Sequence, residues 1–390
     1  MTHSTKLIQT KKKKDSSTEV AEISSTDGIG KEEVSPIKID LNANGRTLLP
    51  RKVVHQKRKK QSSGKFYSEN YKELQRTLKK GHYTLDKLAA KGAESVLYLA
   101  KSGSETLCVK SIRNFLYRYL GDLKTRKDRP KLKDTKYSTK CRHLKNEYAV
   151  SQLLDTTQCN DSIIKIYALR KIKFFAIEIG YDLIMEFVDG TDLSNRARLD
   201  QLSIKQKIDI MIQCTQALEY FHKHHLVHLD IKPSNFMLTP ERRIVLIDFG
   251  VSVPTNSALK AITGTAGYLS PEQIARHRLT EATDIFALGV SFAYLFGGSP
   301  LPQDIEQIRK RENRKEAEEQ LKTAPVPALE SIPELAAYPA LTEVIQHCTI
   351  LKREERISSC ASLLLNIKSA CKEDGIPNHT HLVDTPGNRT

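Results

Sequence analysis

"HLVHLDIKPSNFML", from His225 to Leu238, is an apolar, strand-like run that carries an aspartate, a lysine and an asparagine at fixed offsets. Polar heads in such a setting cost free energy unless something uses them. The spacing of Asp230, Lys232 and Asn235 suits a loop that turns three polar groups toward one phosphoryl group. Downstream, "VLIDFG" puts Asp248 at the end of an apolar strand. A hard carboxylate there suits magnesium, which bridges nucleotide phosphates and takes one or two protein ligands. An Asp-X-Gly hairpin turn is the plainer reading of the same residues. Upstream, "VKSI" ends a strand with Lys110, and the next helix carries Glu147. Taken singly, each is an ordinary surface charge.

The texture of the chain says what must hold these groups. "YTLDKLAAKGAESVLYLA" and "ETLCVKSI" alternate like strands, with a turn at Ser102–Gly103. "CRHLKNEYAVSQLL" has helical spacing, and "SIIKIYAL", "FFAIEIG" and "YDLIMEFV" read as three more strands. Past Gly190 the pattern turns helical, with "SIKQKIDIMIQCTQALEYFHKHH", "EATDIFALGVSFAYLFGG" and "LTEVIQHCTILKREERISSCASLLLNI" as the main segments. Strands followed by helices predict an α+β fold with a small β-rich lobe and a larger α-rich one.

Composition sets the outer limits. Only 39% of the 390 residues are hydrophobic, lean for a chain packed throughout. The net charge of +16 is uneven: residues 1–80 hold 19 Lys/Arg against 9 Asp/Glu, and residues 111–146 hold 12 against 3. The expected organisation is a basic, disordered tail over 1–82, a small lobe over 83–188 interrupted by a basic insertion at about 115–140, a large lobe over 189–372 and a flexible end over 373–390. No apolar run approaches the roughly 20 residues of a membrane-spanning helix, and the N-terminus lacks an apolar signal core. Seven cysteines without a CxxC pair fit reduced thiols in a cytoplasmic compartment, or a nuclear one if the source is eukaryotic.

In order and spacing, these elements resemble a eukaryotic-type serine/threonine protein kinase over roughly Tyr83 to Lys372. The resemblance implies a bilobal kinase fold, ATP with magnesium (manganese as the substitute) and a protein substrate. Lys110 would hold the nucleotide phosphates and Glu147 would hold Lys110. Asp230 would accept or orient the proton of the substrate hydroxyl, Lys232 would neutralise the γ-phosphate, and Asn235 with Asp248 would ligate metal. Phe249 and Gly250 complete the motif begun by Asp248. His228 would support its loop rather than do chemistry. Adenine would rest under Cys108 with Met185 behind it, on hydrogen bonds from the backbone of Glu186 and Val188. Thr265 in "GTAGYLSPE" would partner Asp230 and Lys232. Ser270 there stands where alanine is usual, Glu272 would pair with Arg356, and Asp284 would cap its helix or anchor the catalytic loop.

Three departures matter. Aligned on "LYLA", the phosphate-covering loop has Ala90, Gly92 and Ser95 where three glycines are usual, which points to a looser lid. Leu229 stands where many kinases carry an arginine that binds a phosphorylated activation loop. Leucine cannot bind phosphate, so phosphorylation of Thr255, Ser257 or Thr263 is not expected to be the main switch. The third is the insertion "RYLGDLKTRKDRPKLKDTKYSTK" between Lys110 and Glu147, either a solvated loop or, with the tail motifs "KKKK" and "KRKK", a docking arm for an acidic or phosphorylated partner. Nucleic acid is not expected as the primary partner, since no aromatic interleaving accompanies the charge. A nucleotide-binding pseudokinase is the alternative, and the depleted glycines are its only support.

Overall fold

Alternating apolar residues in five strands, with a short helix before them and a longer one among them, build the small lobe of the chain. The structure is a computed structural model that describes residues 20–21, 37–38, 73–91, 95–114, 135–154, 161–303 and 325–377. Two-residue strands β1 (Val20–Ala21) and β2 (Ile37–Lys38) pair antiparallel. Residues 73–80 form helix α1. Strands β3 (Thr84–Lys91), β4 (Val96–Ser102), β5 (Glu105–Arg113), β6 (Ile166–Phe174) and β7 (Ile177–Glu186) make one antiparallel sheet in the order β3-β4-β5-β7-β6. Helix α2 (Thr135–Leu153) packs on β5, β6 and β7.

The sequence readings need four corrections, the first being that residues 373–377, read as part of a flexible end, belong to the large lobe: Glu373 ends a helix, Asp374 accepts from the amides of Ala340 and Leu341, and Ile376 is buried. Residues 73–82, read as tail, belong to the small lobe: Leu78 of α1 is fully buried with Ala100, Leu107, Val109, Ala168 and Ile184. The rest of the tail, apart from β1 and β2, lies outside the described residues. Residues 135–140, read as the end of the insertion, are the first turns of α2, while 115–134 lie outside the described residues. Residues 177–186, divided between "FFAIEIG" and "YDLIMEFV", are one strand, β7, while Phe174 ends β6 and residues 175–176 turn between them. Gly180 lies inside that strand and pairs with Arg113, where an added Cβ would lie 2.2 Å from the Ile112 carbonyl oxygen. It is a close-approach glycine, not a turn.

The large lobe is helical. Helix α3 (Ile204–Lys223) starts at a capping box in which Ser203 accepts from the Gln206 amide and the Gln206 side chain accepts from that of Ser203. Helix α4 (Glu281–Leu295) is buried along nearly its whole length and serves as the lobe's axis. Helices α5 (Pro339–Cys348) and α6 (Cys360–Glu373) close over α3 and α4. The short strands are β8 (Thr191–Asp192), ahead of α3, and β9 (Leu226–Val227), β10 (Phe236–Leu238), β11 (Ile244–Leu246) and β12 (Val253–Pro254), between α3 and α4, in sheets β11-β10-β8 and β12-β9. One apolar cluster runs from Leu144 and Val150 of α2 through Phe249 to Ile285 and Leu288 of α4, so the lobes share a core at the cleft. The six described cysteines are free thiols, and no helix among the described residues is long and apolar enough to cross a membrane.

Candidate active site

Two elements place the first group. β5 ends its core alternation by turning Lys110 toward α2, where Glu147 is almost fully buried. The Lys110 ammonium lies 2.9 Å from Glu147 Oε2 and 2.9 Å from Asp248 Oδ1. Burial alone would lower this ammonium's pKa, but the two carboxylates more than reverse that and hold it charged. They share one cation unequally. Burial pushes the Glu147 carboxyl up to about 7. Burial also pushes on Asp248, but Lys110 outweighs it and holds that carboxyl below the usual range. Asp248 is therefore the firm anion facing the cleft.

The second group comes from the loop between β9 and β10. Asp230 Oδ2 accepts from the Lys232 ammonium at 2.7 Å, and Oδ1 accepts from the Thr265 hydroxyl at 2.6 Å. Lys232 also donates to Thr265 Oγ at 2.7 Å, closing a triangle of side chains from two segments. The Asn235 amide nitrogen donates to the Asp230 carbonyl at 2.7 Å and to its carboxylate at 3.2 Å. Its oxygen thereby becomes the end turned away from Asp230.

The loop is held in an unfavourable backbone shape. Leu229 has φ +69° and Asp248 φ +59°, the left-handed region that costs most side chains roughly 1–2 kcal/mol. Asp284, buried in the first turn of α4, accepts from the Leu229 amide at 2.8 Å, the His228 amide at 2.7 Å and His222 Nε2 at 2.9 Å. It anchors the catalytic loop; it is not the cap, because Thr280 precedes the helix and donates its amide to the Thr283 hydroxyl. His228 is fully buried against Phe221 and Phe249, and burial lowers its pKa, so the ring stays neutral and structural. Phe249 is fully buried at the lobe junction, and a Cβ on Gly250 would lie 3.1 Å from the His143 carbonyl oxygen of α2.

The nucleotide-side residues are more mixed. Cys108 pairs with Met185 in the sheet, and burial pushes its thiol up to about 11, so it behaves as a small apolar group. The Glu186 amide already donates to the Lys165 carbonyl at 2.9 Å, so it is not a donor for a base; Val188 follows beyond the strand end and is half-buried. Ala90 pairs with Leu97 within β3 and β4, Ser95 is half-buried just before β4, and Gly92 lies outside the described residues.

Glu272 and Arg356 meet in a fork, at 2.8 and 3.3 Å, both buried. Ser270 caps the single helical turn Pro271–Ile274 by accepting from the Gln273 amide, which gives this hydroxyl a structural use. Sequence reasoning missed three amide side chains. Gln273 donates to the carbonyls of Leu229 and Thr263, Gln303 bridges the backbone of Gly267 and Leu269, and Asn146 donates to the carbonyls of Gly250 and Ser252. Only Gln273 left a signal, as the partner of Ser270 in a capping box.

Comparison with known proteins agrees with this arrangement. The sequence profile of the protein kinase domain family matches residues 124–369. Lys110 lies before that stretch, so its place in the site rests on geometry. The chain is 35% identical over 113 residues to the serine/threonine-protein kinase PknA of Mycobacterium tuberculosis, covering 28% of this chain and 26% of that one. It is 31% identical over 125 residues to the serine/threonine-protein kinase PknB of Mycolicibacterium smegmatis, covering 30% and 20%. The match thus spans about a quarter or less of these relatives' own length. Among solved structures, the granulovirus kinase PK-1 of Cydia pomonella granulovirus is similar in fold, with a TM-score of 0.52 at 19% identity over 76% of this chain and 97% of that one.

Proposed function

The chain belongs to the protein kinase domain family, and from that premise we propose that it transfers the γ-phosphate of ATP to a serine or threonine hydroxyl of a protein substrate. One observation carries this reading: two independently built clusters, Lys110–Glu147–Asp248 and Asp230–Lys232–Asn235–Thr265, are both complete. A binding module on the same fold has no need of the second.

The donor set suits a divalent metal. Asp248 is a hard anion kept ionised by Lys110, and Asn235 commits its nitrogen to Asp230, which leaves its oxygen as a ligand. Among the described residues no three or more His, Cys, Asp or Glu cluster as a metal cage, which suits an ion bound chiefly through phosphates. Magnesium, or manganese in its place, supplies charge that neutralises the phosphates when bound with ATP. The chain's own groups do the rest. Lys110, fixed by Glu147, orients the nucleotide; Asp230 accepts a hydrogen bond from the incoming hydroxyl and takes its proton; Lys232 offsets negative charge on the moving phosphoryl oxygens. Thr265 gives Asp230 a second partner and so fixes the carboxylate's rotamer.

The test is labelled ATP and magnesium with a generic basic protein, beside Asp248→Asn and Asp230→Asn forms. Label on serine or threonine, absent from the first variant and down by about 10² to 10⁴ in the second, is the expected result. Tight nucleotide binding with no transfer by the unsubstituted protein overturns the proposal.

Two finer points belong to the same reading. The basic segments 1–80 and 111–146 suit a docking arm for an acidic or phosphorylated partner. Removing residues 121–134, which spares α2, should weaken substrate binding only at low salt; equal binding across a salt series argues for a solvated loop. The cysteine pattern supports a cytoplasmic site of action.

A further inference from the structure

β5 is held from both faces of the sheet at neighbouring residues. Lys110 points to the inner face and its partner Glu147, and Ser111, the next residue, points to the outer one. There Asp182 of β7, directly across the ladder from Ser111 and almost fully buried, gathers three side chains. Its Oδ1 accepts from the Ser111 hydroxyl at 2.6 Å and lies 2.7 Å from Arg113 Nη1, while its Oδ2 accepts from the Tyr83 hydroxyl at 2.7 Å. Burial pushes on the Asp182 carboxyl, but Arg113 outweighs it and holds that carboxyl below the usual range, so the hub is an anion. A buried polar network of this kind stiffens what it joins only while every member is satisfied.

Tyr83 is the member that comes from a distance. It ends the segment that carries α1, just before β3 at one edge of the sheet, and its hydroxyl reaches β7, three strands across. The Arg170 guanidinium, on the far-edge strand β6, lies 5.3 Å over the Tyr83 ring, and Gly81 turns the chain there with φ +94°, a conformation that suits glycine. Leu78 of α1 is fully buried with Val109 of β5. Residues 73–83 thus strap the outer face of the sheet, and they lie ahead of the stretch that the family profile matches. We propose that Tyr83 and Asp182 are positioning residues through which this strap sets β5 against β7 from outside and so fixes Lys110 where the nucleotide phosphates bind. The inference rests on the kinase reading for the identity of the ligand, but not for the brace itself.

Binding of ADP and of adenosine to the full chain, measured by calorimetry, tests it, because Lys110 meets phosphates and not the nucleoside. Tyr83→Phe removes one hydroxyl and leaves Asp182 Oδ2 unanswered; affinity for ADP should fall about fivefold while that for adenosine holds. Asp182→Asn should cost about tenfold or more, and adding Tyr83→Phe to it should cost little further, because the hydroxyl acts through the carboxylate. A merely structural brace would lower the melting temperature and leave the ratio of the two affinities where it was. Should Asp182→Asn fail to fold, Tyr83→Phe decides alone. An ADP affinity within about twofold of the parent in Tyr83→Phe, an equal loss for adenosine, or additive losses in the double variant overturn the proposal. If the unsubstituted protein binds no nucleotide, the kinase reading falls, and amide hydrogen exchange in residues 107–113 then judges the brace: quickened in Tyr83→Phe it stands, unchanged it falls.

Discussion

At the scale of single residues, the site depends on backbone that does not relax on its own. Leu229 and Asp248 are both left-handed, and one buried carboxylate, Asp284, holds the loop that contains the first of them by accepting two consecutive amides. Removing it leaves those amides unpaired in a buried setting and frees Leu229 to return to a common conformation. Asp230 would then shift relative to Lys232 and Thr265, while Lys110, built from β5 and α2, would keep its partner. Asp284→Ala should therefore cut kcat on the order of 100-fold, as an ångström-scale displacement of a catalytic group does, with little change in nucleotide affinity. A Michaelis analysis at varied ATP separates the two; a large rise in KM with kcat intact would show that Asp284 does not act through the loop. Asp284 was legible as a charge entering an apolar helix, but sequence left its role open between cap and anchor. The choice depends on where β9 ends in space.

At the scale of elements, the activation segment is held by apolar packing and backbone pairing. Leu229, Val227 and Leu279 form a buried cluster against Val251, Val253 and Leu259. β12 pairs with β9, the amide of Thr255 donates to His225, and Gln273 clips the carbonyls of Leu229 and Thr263. Leu229 thus meets the activation segment through apolar packing, at the position where the resemblance leads one to expect an arginine. Phosphatase treatment should leave activity unchanged, whereas Leu229→Arg should lower it by placing a charge in that cluster. Activity that collapses on dephosphorylation of Thr255, Ser257 or Thr263 would sink this account. The motifs on these elements were readable because each combines a scarce residue type with a fixed offset. The strand count around Gly180 and the helix at 73–80 were not, since a glycine reads the same at a turn and at a close approach. The hydrogen bonds of Asn146 to the backbone of Gly250 and Ser252 were silent for a related reason: asparagine on a helix is chemically ordinary until the chain brings carbonyls to it.

At the scale of the whole molecule, Arg356 joins the substrate-loop end of the large lobe to its far side. Its five N–H groups reach Glu272 twice and the carbonyls of Ala282, Ile350 and Leu351, and its plane lies over Phe286. Nothing is left over for water, because the side chain is fully buried. Such a pair adds little compared with apolar replacements, yet breaking it by removing one partner is costly, since the other charge stays buried alone. Arg356→Met should therefore lower stability by about 3–5 kcal/mol, a large share of the 5–15 kcal/mol typical of folded proteins. For a lobe of this size that amounts to a drop of roughly 10 °C in melting temperature. Glu272→Leu combined with Arg356→Met should recover part of the loss, because the stranded carboxylate is gone and only carbonyls remain unmet. Thermal unfolding with and without ATP and magnesium locates the effect: ligand should stabilise both variants, since Lys110 and Asp248 are untouched. If Arg356→Met melts within about 2 °C of the parent, or the double variant melts lower than the single, the buried pair is not what holds the substrate loop to the lobe.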